Sequence, residues 1–125
     1  MGDRELYITA KKALVNSYSP YSGFRVGAAV LTEDDEIFTG VNVENSSYGA
    51  SICAERVAFT KAISEGHRKI KAVAIATDNG TAYPCGICRQ FMYEFGNDIK
   101  VILGKDENDL EIHTLEELLP HGFKL

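Results

Sequence analysis

The fold of this chain is decided by a strand, a loop and a helix that follow one another in residues 71–95, KAVAIATDNGTAYPCGICRQFMYEF. Residues 71–78 are a short apolar run, which predicts a buried strand. Residues 85–95 predict a helix that ends near Gly96, and the loop between the two is rich in turn-forming residues. A buried strand followed directly by a helix is a building unit of α/β sheets.

The elements on either side extend this unit into a larger sheet. They are predicted, in chain order, as a helix over 3–18, strands over 24–32 and 36–44, a helix over 52–65, the central strand and helix, strands over 100–104 and 110–114, and a helix over 115–120. Short links within the first and last strand pairs predict antiparallel hairpins. Together they predict one α/β domain over residues 1–125, a three-layer α/β/α sandwich with a mixed five-stranded sheet.

Composition and charge limit the partners. The chain has 125 residues, of which 45% are hydrophobic and 25% charged, and its net charge is −5. No basic stripe is present to neutralise a phosphate backbone, so nucleic acid is not expected as a partner. The sequence has no apolar run long enough for a bilayer and no signal-peptide core near its start. We therefore expect a cytoplasmic protein with a small-molecule substrate and no membrane partner.

The three cysteines fall at two predicted helix starts. Cys85 and Cys88 form a C-x₂-C pair, and Cys53 begins the helix over 52–65. A C-x₂-C pair alone is compatible with a zinc site, a redox pair or two core thiols. Helix N-termini favour thiolates, and three protein ligands leave the fourth position of a catalytic zinc open. Glu55, two residues after Cys53, is then placed to exchange protons with a metal-bound water.

Three stretches resemble the small zinc-dependent cytidine deaminases. They are YSPYSGFRVGAAV (18–30), GVNVENSSYGASICAER (40–56) and PCGICRQF (84–91). The resemblance implies a hydrolase that converts cytidine and 2′-deoxycytidine to uridine and 2′-deoxyuridine with release of ammonia, in pyrimidine salvage. The cysteine at the first ligand position matches the three-cysteine branch of that family.

The same resemblance assigns the catalytic residues. It implies one Zn²⁺ per chain, held by Cys53, Cys85 and Cys88. Zinc-bound hydroxide would attack C4 of the base while Glu55 moves protons, the general scheme of zinc nucleobase deaminases.

Residues for substrate binding follow from the resemblance as well. It assigns a ribose hydroxyl to Asn42 and Glu44, the pyrimidine ring to Phe24, and the base's carbonyl and amine to backbone groups at Ala54 and Cys85. Asn42 and Glu44 are two apart on a predicted strand, so they are expected to share one face.

The resemblance further implies a homotetramer in which each active site is completed by a neighbouring subunit. Ser46, Tyr48 and Phe123 are the residues it assigns to that task.

Arg56 is assigned from charge. Three thiolates leave a zinc site electron-rich, and Arg56 lies three residues after Cys53, close to the same helical face. We expect its guanidinium to donate to the thiolates and offset their charge.

Simpler interpretations stay open for several of these residues. Cys53 and Phe24 could be core side chains, Glu55 an ordinary first-turn acid, and Arg56 a surface ion pair.

Other functions stay open too. An aminohydrolase for blasticidin-type cytosine nucleosides would share the motif, although Asn42 and Glu44 favour ribose. A structural zinc module would require four protein ligands, and a redox pair would leave Cys53 and Glu55 unexplained. The histidines lie outside the motif and are expected at the surface or in the tail: His67, His113 and His121.

Overall fold

The computed structural model describes residues 1–125, and it contains four α-helices and five strands. Their bounds are α1 Asp3–Ala13, β1 Val26–Thr32, β2 Ile37–Val41, α2 Ala54–Ser64, β3 Ile70–Thr77, α3 Gly86–Tyr93, β4 Lys100–Asp106, β5 Asp109–Thr114 and α4 Leu115–Leu118. The order predicted from the sequence is confirmed. None of the helices has both the length and the apolar character needed to span a bilayer.

The strands form one mixed sheet in the order β2-β1-β3-β4-β5. Both predicted hairpins are antiparallel, and β1 also pairs antiparallel with β3. The parallel pair is β3 with β4, and the connection between these two strands contains helix α3.

Helices cover both faces of the sheet, which confirms the three layers. On one face α1 buries Leu6 and Tyr7 against small side chains of β3 such as Ala74. On the other face α2, α3 and α4 pack on the sheet, with Phe59 and Met92 fully buried. Each such large side chain stabilises the fold by about 1.5–3 kcal/mol. Because the central strands are covered on both sides, they consist of nearly continuous apolar residues.

Strand β2 is shorter than predicted. It ends at Val41, so Asn42 and Glu44 lie beyond it and the expectation that one strand presents them on one face is wrong. The side-chain amide of Asn42 competes with the ladder here, because its Oδ1 accepts the N–H of Val26, 3.0 Å away.

The first helix also ends earlier than predicted. After Ala13 it continues only as a 3₁₀ turn over Leu14–Asn16. Tyr18, the last residue of the predicted helix, is 56% exposed. Its backbone instead joins the segment after β2: its N–H donates to the carbonyl of Asn42 and its carbonyl accepts the N–H of Glu44.

Close packing fixes where α2 lies. Gly40 of β2 is buried directly under it, and a Cβ at that position would be 2.4 Å from the nitrogen of Ala58. The absence of a side chain therefore lets the strand and helix backbones approach each other. Helices α2 and α3 follow the sheet strands β2 and β3, and their N-terminal ends come together at one edge of the sheet.

Candidate active site

The three cysteines meet at the starts of α2 and α3. Cys53 and Cys85 are the N-cap residues of the two helices, and Cys88 lies in the first turn of α3. The Sγ atoms of Cys53 and Cys85 are 3.9 Å apart and those of Cys85 and Cys88 are 3.5 Å apart, with all three within 4.8 Å. No disulfide is formed. The expected cluster is therefore present.

These separations fit zinc. Tetrahedral Zn–S bonds of about 2.3 Å place neighbouring sulfurs about 3.8 Å apart. Three thiolates would leave one tetrahedral position for a water or a substrate atom. One zinc ion per chain is the cofactor that this donor set accommodates.

Ionisation of the three thiols also favours a bound cation. The neighbouring Cys88 thiol, with Arg56 and Cys85, lowers the pKa of Cys53 to about 5. Conversely, Cys53 is the main cause of a raised pKa at Cys88, with burial and the charge of Glu55 acting in the same direction. Since ionising one thiol opposes ionisation of the next, three thiolates can coexist here only around a positive ion.

Arg56 lies beside this cluster. Its Nη2 is 3.8 Å from the Sγ of Cys53 and 3.4 Å from the carbonyl oxygen of Ser51. Its Nε is buried and has no hydrogen-bond partner. Burial alone would lower the pKa of Arg56, but the nearby Cys53 and Cys88 raise it above the usual value. A permanently charged guanidinium thus lies beside the Cys53 sulfur, while its assignment to offset the charge of the cysteines stays a prediction.

Glu55 is buried in the first turn of α2, with only 4% of its surface exposed. An ordinary first-turn acid would face solvent, so that simpler interpretation is wrong. Burial is the main cause that raises the pKa of Glu55 to about 7, and the nearby Cys53 adds to the effect. A carboxyl group of this kind can both accept and donate a proton at neutral pH.

A cavity of about 210 Å³ opens in front of these groups, and we call it the cysteine cavity. It is lined by six residues that the sequence singled out: Phe24, Asn42, Cys53, Ala54, Glu55 and Cys85. Phe24 is 51% exposed at this cavity, so it is not a core side chain. Cys53 packs against the core on one side and lines the cavity on the other, so its thiol is not enclosed by the core.

Asn42 holds one wall of the cysteine cavity in place. Its Nδ2 donates to the carbonyl of Phe24 at 2.7 Å, and its Oδ1 accepts from Val26 N–H and from Ser17 Oγ. These bonds fix the backbone on both sides of Arg25 at the start of β1. Asn42 therefore orients Phe24, in addition to the predicted contact with ribose.

Glu44 occupies a neighbouring recess rather than the cysteine cavity. Its Oε1 accepts the backbone N–H groups of Tyr21 and Ser22 at 2.9 and 3.1 Å, and its Oε2 accepts from Ser22 Oγ. These bonds lower the pKa of Glu44, the Ser22 hydroxyl contributing most. The carboxylate is thus ionised and fixes the turn that precedes Phe24.

Comparison with known proteins identifies the family. Residues 1–105 match the family model for the cytidine and deoxycytidylate deaminase zinc-binding region. The chain belongs to this deaminase family. It is 51% identical over 109 residues to a probable cytidine deaminase of Dictyostelium discoideum. The aligned region covers 86% of this chain and 74% of that relative. It is 46% identical over 125 residues to a cytidine deaminase of Sporosarcina psychrophila, and this alignment covers 98% of this chain and 92% of that relative.

Solved structures of cytidine deaminases share the whole fold. The enzyme from Burkholderia pseudomallei superposes with a TM-score of 0.93 at 41% identity, over 98% of this chain and 100% of that one. The enzyme from Mycobacterium tuberculosis superposes with a TM-score of 0.89 at 35% identity, over 100% of this chain and 99% of that one. The five-stranded α/β/α sandwich is thus the deaminase fold.

The residues expected to serve a neighbouring deaminase subunit do not line the cysteine cavity. Ser46 Oγ is 2.7 Å from the hydroxyl of Tyr21, and the Tyr48 ring stands edge-on to Tyr21 with 77% of its surface exposed. Phe123 is 65% exposed, and its carbonyl accepts from Gln90. Their assignment to a second subunit stays a prediction.

The histidines also lie apart from the cysteine cavity. His121 is exposed near the C-terminus, while His113 and His67 are partly buried beside carboxylates. His67 lies between Asp34 and Glu36, so the expectation of simple surface histidines holds only for His121.

Sequence reasoning missed four residues of the cavity wall: Val26, Ile75, Ala82 and Tyr83. Val26 and Ile75 are apolar residues of central strands, and no sequence signal separates a cavity wall from a core position there. Tyr83 did carry a signal, because an aromatic residue in a loop stands two residues before the ligand Cys85.

Proposed function

We propose that this chain hydrolyses cytidine and 2′-deoxycytidine to uridine and 2′-deoxyuridine, with release of ammonia. The observation that carries the proposal is the convergence of three thiols and one buried carboxyl group, Glu55, on a single cavity. The names of the relatives and membership of the deaminase family support it.

Zinc would be held by Cys53, Cys85 and Cys88. When bound, it supplies a Lewis acid that makes water a nucleophile near neutral pH. The chain's own contribution is the charge balance, in which Arg56 offsets part of the negative charge of the thiolates.

Glu55 is the proton carrier of the proposed reaction. Water adds to C4 of the cytosine ring, and Glu55 takes the proton that this water loses. The carboxylic acid passes this proton to N3. It then takes the proton of the new C4 hydroxyl and delivers it to the amine, so the C4–N bond breaks, the C4 carbonyl forms and ammonia departs. A pKa of about 7 suits both transfers, because the group changes charge readily at that pH.

Binding of the base would use the inner wall of the cysteine cavity. Backbone groups at Ala54 and Cys85 are assigned to the carbonyl and the amine, and the Phe24 ring to the face of the pyrimidine. All three residues line the cavity together with Glu55, which supports the assignment.

Ribose binding is assigned to Asn42 and Glu44. Asn42 is at the cavity wall, and Glu44 is fixed as an ionised acceptor in the adjacent recess. A carboxylate there suits a sugar hydroxyl and disfavours a phosphate, so a nucleoside is the better substrate than a nucleotide.

We further propose a homotetramer that acts in pyrimidine salvage in the cytoplasm. Tyr48 and Phe123 expose large aromatic surfaces outside their own cavity, which supports a role toward a neighbouring subunit. Sedimentation should give four chains per particle, and Tyr48→Ala should reduce both assembly and turnover. A fully active monomer would contradict the shared active site.

One assay separates the candidate functions. Purified protein is offered cytidine, 2′-deoxycytidine, cytosine, CMP and blasticidin S, and its zinc content is measured in parallel. We expect turnover of the two nucleosides with one zinc per chain. Turnover of blasticidin S alone would indicate the antibiotic deaminase, zinc without turnover a structural site, and absence of zinc a redox pair.

A further inference from the structure

Tyr83 forms part of the cysteine cavity but has no assigned task. It lies in the loop between β3 and α3, and only Pro84 separates it from the zinc ligand Cys85. Tyr83 lines the same cavity as Phe24 and is 52% exposed, so it is accessible to a molecule bound there. An exposed aromatic ring in a cavity offers a flat surface against which a base can pack.

The orientation of this ring is fixed from a distant strand. The Tyr83 hydroxyl donates to both carboxylate oxygens of Glu111 on β5, at 2.7 and 2.9 Å. Glu111 also lies 3.2 Å from Nε2 of His113. The shared bond raises the pKa of the Tyr83 hydroxyl and lowers that of the Glu111 carboxyl. Without this partner the side chain would be free to leave the cavity, because its surface is half exposed.

The position of Tyr83 indicates which part of a substrate it contacts. Cys53, Cys85 and Glu55 mark the end of the cavity where the reacting carbon must lie. Tyr83 is joined to that end through Pro84, whereas Asn42 and Glu44, the residues proposed for ribose, come from the segment after β2. The ring is therefore on the side of the base.

We propose that Tyr83 is a substrate-binding residue that packs against the cytosine base, and that Glu111 is a positioning residue that holds its ring. This inference rests on the proposed function, namely that the cavity binds a cytosine nucleoside. It predicts uniform binding, in which an interaction contributes equally to the bound substrate and to the transition state. Loss of such an interaction raises KM and leaves kcat unchanged.

The test compares steady-state kinetics with direct binding. KM and kcat for cytidine are measured in the zinc-loaded protein, and the Kd of cytidine is measured by calorimetry in a Glu55→Gln background, which should bind without turnover. Tyr83→Ala should raise KM and Kd about five- to tenfold, the low end of the range for aromatic–base stacking, while kcat changes less than about twofold. Tyr83→Leu, which retains an apolar side chain and removes the aromatic ring, should change them in the same direction.

The role of Glu111 is tested by a double-mutant cycle. Tyr83→Phe and Glu111→Ala each remove the bond between the two side chains, so each should raise KM about two- to threefold. The double variant should be no worse than either single variant, because Glu111 acts only through the Tyr83 hydroxyl. Glu111→Gln, which still accepts a hydrogen bond, should restore most of the wild-type KM.

Tyr18→Ala is the matched control, since Tyr18 is 56% exposed and outside the cavity. KM should stay at the wild-type value in this variant. Unchanged KM and Kd in Tyr83→Ala, or a loss confined to kcat, would overturn the assignment of Tyr83. Additive losses in the cycle would overturn the role of Glu111. A wild-type protein that does not deaminate cytidine would instead refute the proposed function.

Discussion

The substitution Gly40→Ala adds one methyl group under helix α2, and it should disturb the metal site at the start of that helix. The Cβ of Gly40→Ala would lie 2.4 Å from the nitrogen of Ala58 and 2.5 Å from the carbonyl oxygen of Ala54. These are the donor and acceptor of one helical turn of α2. Ordinary contact begins near 3.4 Å, so strand and helix must separate by about 1 Å.

The displacement reaches the site because the first turn of α2 carries Glu55 and follows directly on Cys53. Zinc sites tolerate ligand errors of about 0.2 Å, so zinc affinity should fall. A misplacement of about 1 Å can also reduce turnover about 10²-fold. Overpacking against backbone should cost about 3 kcal/mol, the upper end of the usual range, and lower the Tm by about 10 °C.

Gly27→Ala is the matched control for this experiment. Its Cβ would lie 2.1 Å from the carbonyl oxygen of Ala10, under α1 on the other face of the sheet. Tm, zinc affinity by competition with a chelating dye, and kcat/KM are measured in both variants. Both should lose stability, but only Gly40→Ala should lose zinc affinity. Equal zinc affinity in the two variants would refute the view that the β2–α2 contact positions the metal ligands.

Three further predictions concern individual charges. Glu55→Gln should keep its zinc while turnover falls by about 10²–10⁴-fold, and near-normal turnover would exclude Glu55 as the proton carrier. Arg56→Ala should lose less activity in a Cys53→His background than in the wild type, because a neutral ligand leaves less charge to offset; kcat/KM and zinc content of all four proteins test this, and simply additive losses would contradict it. Arg25, through its hydrogen bond, lowers the pKa of Asp78. A lowered carboxyl pKa stabilises the fold above the unfolded-state pKa of about 4 and ceases to do so as the pH falls through the folded value. The Tm difference between wild type and Asp78→Asn should therefore be full at pH 7, begin to decline below about pH 4 and disappear below the lowered pKa of folded Asp78. A difference that is independent of pH would show that the ion pair does not contribute.

Elements with a local signal were predictable from the sequence. The apolar run of β3, the hairpin links and the turn glycines each act over a few residues, so element order and both hairpins are confirmed. The helix starts at Cys53 and Cys85 were predictable for the same reason, and with them the cluster of thiols.

Features that depend on distant partners were not predictable in the same way. The antiparallel pairing of β1 with β3 joins residues that are far apart in the chain. Strand β2 ends early because Asn42 bonds to Phe24 and Val26, and Tyr83 is held by Glu111 from β5. The sequence shows which side chains are polar, but the hydrogen-bond partner of each one is determined by the complete fold.

The two helix starts explain why the catalytic groups nonetheless stood out. At an N-cap, a serine or aspartate normally accepts a hydrogen bond from its own helix and stabilises it by about 1 kcal/mol. Cys53 and Cys85 occupy N-caps with extended backbone and make no such bond. Their thiols are free to face each other across 3.9 Å, next to the free N–H groups of two helices. Each helix therefore lacks the stabilisation that an N-cap side chain usually provides. Cysteine at an N-cap is a poor choice for helix stability but a good metal ligand, and this is why the pattern indicates a metal site in the sequence.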